Sequence, residues 1–144
     1  MKLRTLPYDL SVCKVPSVTD TVLSLDFFFL CHTDEEVSLV CRTEDVPKDT
    51  IKREDGWRAF RFEGTLDFSL IGILAKVSNI LAEEKIGIFV TSTYDTDYVL
   101  VKAKDLERAV KALKGTEGCF PNWYCHPVHR LESISMKASL RLFT

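Results

Sequence analysis

Between residues 57 and 114 the spacing of apolar positions changes period several times, and each change marks an element. "WRAFRFEG" (57–64) reads as a strand that ends at Gly64. "LIGILAKVSNILAEEK" (70–85) carries apolar residues at 70, 73, 74, 77, 80 and 81, the spacing of a helix with a wide apolar stripe. Asp67 or Ser69 is expected to cap its start, and Glu83, Glu84 and Lys85 with Gly87 to close its end. Residues 88–94 and 98–103 read as two strands around a short turn. "KDLERAVKALKG" then puts Leu106, Ala109, Val110 and Leu113 on one helical face, with Asp105 as N-cap and Gly115 as the residue past the C-cap. The order is β-α-β-β-α, and one further strand would complete a split βαβ, or ferredoxin-like, unit. Residues 116–125 are placed to supply it, but Gly118 and Pro121 interrupt the pattern.

The first half repeats this plan in reduced form. "LSVCKV" (10–15) is strand-like, "SVTDTVLSL" has room for about two helical turns, and "FFFLC" and "VSLVC" are strands joined by "HTDEE". Aligning "TDEEVSLV" (33–40) with "YDTDYVLV" (94–101) sets Asp34 on Asp95 and Glu36 on Asp97. An internal repeat of this size suggests two stacked modules. The charged run "RTEDVPKDTIKREDG" (42–56) reads as the linker, and residues 57–63 fit either module. "YVLV" (98–101) is apolar on both faces, so both faces of that strand are expected to be covered. The tail "FPNWYCHPVHRLESISMKASLRLFT" follows neither pattern, although its end is amphipathic (Ile134, Met136, Leu140, Leu142, Phe143).

Composition narrows the function. The chain has 144 residues, enough for one domain or two very small ones. A net charge of −2 and the absence of a basic stripe argue against a nucleic-acid partner. The longest apolar run, 27–31, is far too short to cross a bilayer, and residues 1–9 have no secretory signal, so no membrane partner is expected. Five cysteines without a paired spacing fit a reducing, cytoplasmic setting, with Cys13, Cys31 and Cys41 acting as small hydrophobes.

The catalytic readings are weak, and only the tail supplies candidates for a base or nucleophile, Cys125, His126 and His129. There is no G-x-S-x-G, no P-loop and no G-x-G-x-x-G. Cys119, Cys125, His126 and His129 are spaced C-x5-C-H-x2-H, which is no finger pattern, and adjacent Cys125 and His126 do not easily point the same way. The expectation is therefore no enzyme, no metal and no cofactor. Two segments do point to a ligand. "GTLDFSLIG" (64–72) leads into a helix start, whose free amides and positive partial charge can hold a carboxylate. In "TSTYDTDYVLV" (91–101), Thr93, Thr96 and Asp97 are acceptors for an ammonium. In a ferredoxin-like sheet both segments lie at one edge, which suits a zwitterionic amino acid. The opposite reading makes the same residues ordinary turn and cap residues.

Residues 63–109 resemble the ACT-domain proteins, most of all the small tandem-ACT group related to the ACT-domain arginine sensors. "LDFSLIGIL", "LAEEKIGIF" and "STYDTDYVLV" carry the resemblance. It implies an α+β fold of ferredoxin-like βαββαβ modules in tandem, with antiparallel sheets and helices on one face. Residues 1–56 would be a degenerate module and linker, 57–119 the ACT module, and 120–144 a tail. It also implies an amino-acid-binding regulatory or sensor protein, homo-oligomeric and acting on a protein partner; the alternative is an ACT-like dimerisation module without a ligand. Asp67, Phe68, Ser69, Leu70 and Ile73 would line the pocket, followed by Lys76 and Val77. Thr93, Tyr94, Thr96 and Asp97 would complete it, Asp97 holding a cationic group while Asp95 serves the turn. The first half, lacking a "LDFSLIG" counterpart, would have no equally good site.

Overall fold

The computed structural model describes residues 2–63, 72–115 and 124–125. Its elements are β1 (Lys2–Thr5), β2 (Leu10–Val15), α1 (Asp20–Leu23), β3 (Phe28–His32), β4 (Val37–Arg42), β5 (Lys52–Glu63), α2 (Ile73–Glu83), β6 (Ile88–Ser92), β7 (Asp97–Lys102), α3 (Leu106–Lys114) and β8 (Tyr124–Cys125). The class is α+β; β1–β5, β2–β4, β3–β4, β5–β7 and β6–β7 pair antiparallel, and β1–β8 pair parallel. The chain divides into two units.

One unit combines residues 2–9 with the described part of 56–125. Its strands run β8-β1-β5-β7-β6. The closing strand beside β5 is therefore β1, from the chain's beginning, with Leu3 opposite Phe62 and Thr5 opposite Phe60. Residues 124–125 add a short strand outside β1. The interrupting Gly118 and Pro121 lie outside the described residues. Successive strand residues face opposite sides, and here one side meets the helices. Leu3, Phe60, Phe62, Val99 and Val101 pack there with Val77 and Leu81 of α2 and Ala109 and Leu113 of α3. The strand predicted to be apolar on both faces is buried on both: Tyr98, Val99, Leu100 and Val101 all fall in the core.

The helix ends differ from the sequence expectation. α2 starts at Ile73 because Gly72 before it is left-handed (φ 87°, ψ 12°), which ends any helical run from the N-terminal side, and no side chain caps it. Its other end is a Schellman motif: the Ile86 amide bonds Leu81 O and the Lys85 amide bonds Ala82 O, both at 2.9 Å. The left-handed residue is Lys85 (φ 57°), not Gly87, and buried Ile86 packs in the same cluster as Leu81. Asp105 stands at the N-cap of α3 without making a cap bond; its carboxylate faces Arg108 at 3.7 Å instead. Gly115 is itself the C-cap, right-handed, donating to Lys111 O at 3.0 Å.

The other unit comprises the described residues 10–55. Its strands run β3-β4-β2 and then the first part of β5, tied in by the Ile51 amide to Lys14 O at 2.7 Å. The supposed linker is thus structured: residues 43–45 form a 3₁₀ turn and 52–55 a strand. Gly56 (φ 81°) stands in β5 where the chain passes from one unit to the other, a conformation that only glycine adopts freely. α1 is one turn long, capped by the Thr19 hydroxyl, and Val22 seals it onto Cys13, Val15, Leu39 and Cys41. No α-helix follows β4 in the position that α3 occupies after β7. Fully buried Ser11 donates to Asp55 at 2.6 Å and bonds Thr43 at 2.9 Å, and Arg53 Nε donates to Asp55 at 2.7 Å. Burial pushes the Cys13 thiol up, and that of Cys41 to about 12. Cys31, by contrast, is exposed on β3, so of Cys13, Cys31 and Cys41, expected to act as small hydrophobes, only the first and last are core residues.

Candidate functional site

The turn between β6 and β7 is built on a threonine. The Thr93 amide donates to Thr96 O at 2.8 Å, the Thr93 hydroxyl donates to the same oxygen at 3.1 Å, and the Thr96 amide returns a bond to that hydroxyl at 3.3 Å. Short hydroxyl side chains favour such local bonds over ladder bonds. Asp95, expected to serve the turn, is exposed and is not among its bonding groups. Four residues are thus consumed by the turn, 93–96, which explains part of the long polar run.

The remaining groups are placed by strand register. β5 and β7 pair from Trp57 with Lys102 to Arg61 with Tyr98. Continuing that register sets Phe62 opposite Asp97 and Glu63 opposite Thr96. The Thr96 hydroxyl donates to Phe62 O at 3.0 Å, fixing the turn against the end of β5. β5 ends at Glu63, so the hairpin lies at the same end of the sheet as the end of β5. Alternation along β7 puts Asp97 on the helix side, with Val99 and Val101. It is half-buried, and one oxygen accepts the Ser92 hydroxyl at 2.5 Å across the last pair of the hairpin.

Asp67, Phe68, Ser69 and Leu70 lie outside the described residues, as do Cys119, His126 and His129. Ile73 is half-buried against the helix-side core, at the first turn of α2. Lys76 is exposed, and Val77 is completely buried in the core. Tyr94 is 84% exposed at the tip of the turn. Of the expected residues, the structure thus gathers Thr96 and Asp97 at the sheet end, commits Thr93 to the turn, and leaves Tyr94 in solvent. Ser92 was missed. Its signal was its place just before a symmetric four-residue turn, where it must oppose Asp97.

The hairpin between β3 and β4 repeats the geometry. The Thr33 amide donates to Glu36 O at 2.9 Å, and the Thr33 hydroxyl bonds Glu36 O at 3.3 Å and the Glu36 amide at 3.2 Å. Thr33 therefore corresponds to Thr93 and Glu36 to Thr96, one residue away from the alignment drawn on acidic residues. Asp34 corresponds to Tyr94 and Glu35 to Asp95. The counterpart of Asp97 is Val37, buried at 8% exposure, whereas Glu36 points to Ser38 and Lys14. An acid-based alignment failed because charge is interchangeable at exposed turn positions, whereas turn hydrogen bonds are not.

Among the described residues no helix is long and apolar enough to cross a membrane. No curated protein matches the chain. A protein of Agobacterium tumefaciens, Atu0741, is similar in structure, with 28% identity, a TM-score of 0.75, and coverage of 91% of this chain and 97% of that one. A Vibrio cholerae protein described as a possible transport protein has 21% identity and a TM-score of 0.65, covering 77% of this chain and 85% of that one. The regulatory subunit of aspartate kinase from Thermus thermophilus has 11% identity and a TM-score of 0.57, covering 78% and 95%. The fold is ferredoxin-like, and residues 52–115 match the ACT domain family.

Proposed function

We propose that the protein is a non-catalytic, amino-acid-binding regulatory protein whose ligand is held at the end of β7. The observation that carries this reading is Asp97. It sits on the helix side of the sheet where the matching position of the other unit is the buried apolar Val37. A half-buried carboxylate costs stability relative to a valine there, so its presence asks for a cationic partner. The start of α2 supports the second pole: Gly72 has no side chain with which to cap its first amides, and helix-start amides favour a carboxylate. Residues 64–71 would supply the wall between the poles, with Asp67, Phe68, Ser69, Leu70 and Ile73 about the ligand.

Residues 10–55 are read as a second, degenerate ACT-like module without an equivalent site. The fold match with a regulatory subunit of aspartate kinase fits a regulatory part. Regulation would act through linkage: a ligand shifts an arrangement of homo-oligomer or protein partner by its differential affinity, typically ~1–3 kcal/mol. The setting is taken to be cytoplasmic.

The test is a thermal-shift screen of the standard amino acids. A binder at about 100 times its dissociation constant stabilises by ~2.7 kcal/mol, and Asp97→Asn, which keeps the bond to Ser92, should abolish that response. If no amino acid raises the transition temperature at millimolar concentration, the reading fails. A rival draws on the bonds of Ser92, Thr93 and Thr96, which satisfy much of the hairpin internally. On that reading the fold only mediates assembly, and Asp97→Ala changes neither oligomeric state nor any ligand response.

A further inference from the structure

The sheet side opposite the helices carries a second charged group at the same end. Register places Arg4 of β1 beside Arg61 of β5, and Arg61 beside Tyr98 of β7, in one row across three strands. Both guanidinium groups turn to the same oxygen of Glu63: Arg4 at 2.7 Å and Arg61 at 3.8 Å. Arg61 also donates to the Tyr98 hydroxyl at 2.8 Å, and its guanidinium carbon lies 5.7 Å from the centre of that ring. The three charged side chains are 19–28% exposed, so they are partly desolvated and still reachable.

This arrangement is unbalanced. A guanidinium presents five N–H donors, and its preferred partner is a carboxylate taken in a bidentate fork. Here one oxygen serves two guanidinium groups, and neither pair is a fork. Among the described residues each guanidinium forms a single hydrogen bond, leaving several donors unused. Two cations share one anion on a sheet face where buried Tyr98 gives Arg61 a fixed orientation. Glu63 thereby shows what the pair recognises.

We propose that Arg4 and Arg61 form a carboxylate-binding site, with Glu63 as an internal competitor. An incoming carboxylate would take the unused donors and displace the Glu63 oxygen. This site stands on Glu63 and the two arginines alone, and loss of the amino-acid response in Asp97→Asn does not bear on it.

The experiment is a titration of the full chain at low ionic strength, followed by calorimetry and by amide NMR shifts, with succinate and inorganic phosphate as separate probes. Wild-type protein should bind succinate weakly, and Glu63→Gln, which removes the competitor, should tighten it ~10-fold. Adding Arg61→Gln to that variant should return binding to the wild-type level or below. Shifts should centre on residues 4, 61 and 98. The proposal is overturned if Glu63→Gln binds succinate no more tightly than wild type, or if the shifts centre elsewhere. It is overturned as a carboxylate site if Glu63→Gln prefers phosphate. Should the double variant not fold, the affinity and shift map of Glu63→Gln alone decide.

Discussion

The two hairpins, residues 33–36 and 93–96, use one turn and arrive at different chemistry. Thr33 and Thr93 make the same set of bonds to Glu36 and Thr96. One residue later the strands part, with Val37 buried in one unit and Asp97 half-buried and bonded to Ser92 in the other. The turn is a matter of local backbone bonding, and it tolerates any charge at its exposed tip. The next position faces the helix side, where a carboxylate is expensive unless something meets it. That contrast separates a structural feature shared by the units from a feature present in one of them.

Exchanging the two residues tests this most severely. Val37→Asp would bury a carboxylate without a partner and should destabilise the protein by about 3 kcal/mol in urea unfolding. A loss below about 1 kcal/mol would mean that the site accommodates charge freely, and the contrast would lose its meaning. Asp97→Val should be neutral or stabilising by up to ~1 kcal/mol, because it removes a partly desolvated charge, while eliminating any amino-acid response. A large destabilisation there would make Asp97 a structural residue.

The shared turn predicts equal losses. Thr33→Ala and Thr93→Ala should each cost ~1 kcal/mol, and a difference larger than that would show that the turns are not equivalent. Gly56→Ala should cost about 1–2 kcal/mol through its left-handed backbone alone, since a methyl there meets no neighbour.

A smaller effect separates the cysteines. The Cys41 thiol, pushed up to about 12 by burial, holds its proton more tightly when folded than when unfolded. Its stabilising contribution is therefore complete below about pH 9 and declines as pH rises from there toward 12. Cys41→Ala should flatten that decline in an unfolding series. Thiol labelling of the native protein at pH 8 should reach Cys31 and spare Cys13 and Cys41.

Much of the unit containing residues 57–114 was legible because its signals are local. The helical stripe at 73, 74, 77, 80 and 81, the two strands around 93–96 and the doubly apolar 98–101 depend on side-chain periodicity, which burial imposes directly. Helix ends were less legible. Lys85 takes the left-handed position expected of Gly87, and Asp105 turns to Arg108 instead of capping, because each end is set by a few competing bonds of similar strength. Of the candidate site, Asp97 and Thr96 were readable from the excess of polar residues. Ser92 was not, because it gains its role only by standing opposite Asp97.

The sequence by itself determined the α+β class, the spacing of the second unit and the absence of any familiar catalytic motif. Tertiary structure decided that residues 2–5 close a sheet by pairing with residues 60–63, more than fifty residues later. It decided that β5 serves two units, that the two hairpins share one turn through Thr33 and Thr93, and that Arg4 and Arg61 meet at Glu63. Each of these is a pairing between distant segments. Periodicity reports which side of a strand is buried, but the partner is chosen by hydrogen-bonding edges and side-chain fit that exist only once the chain has folded.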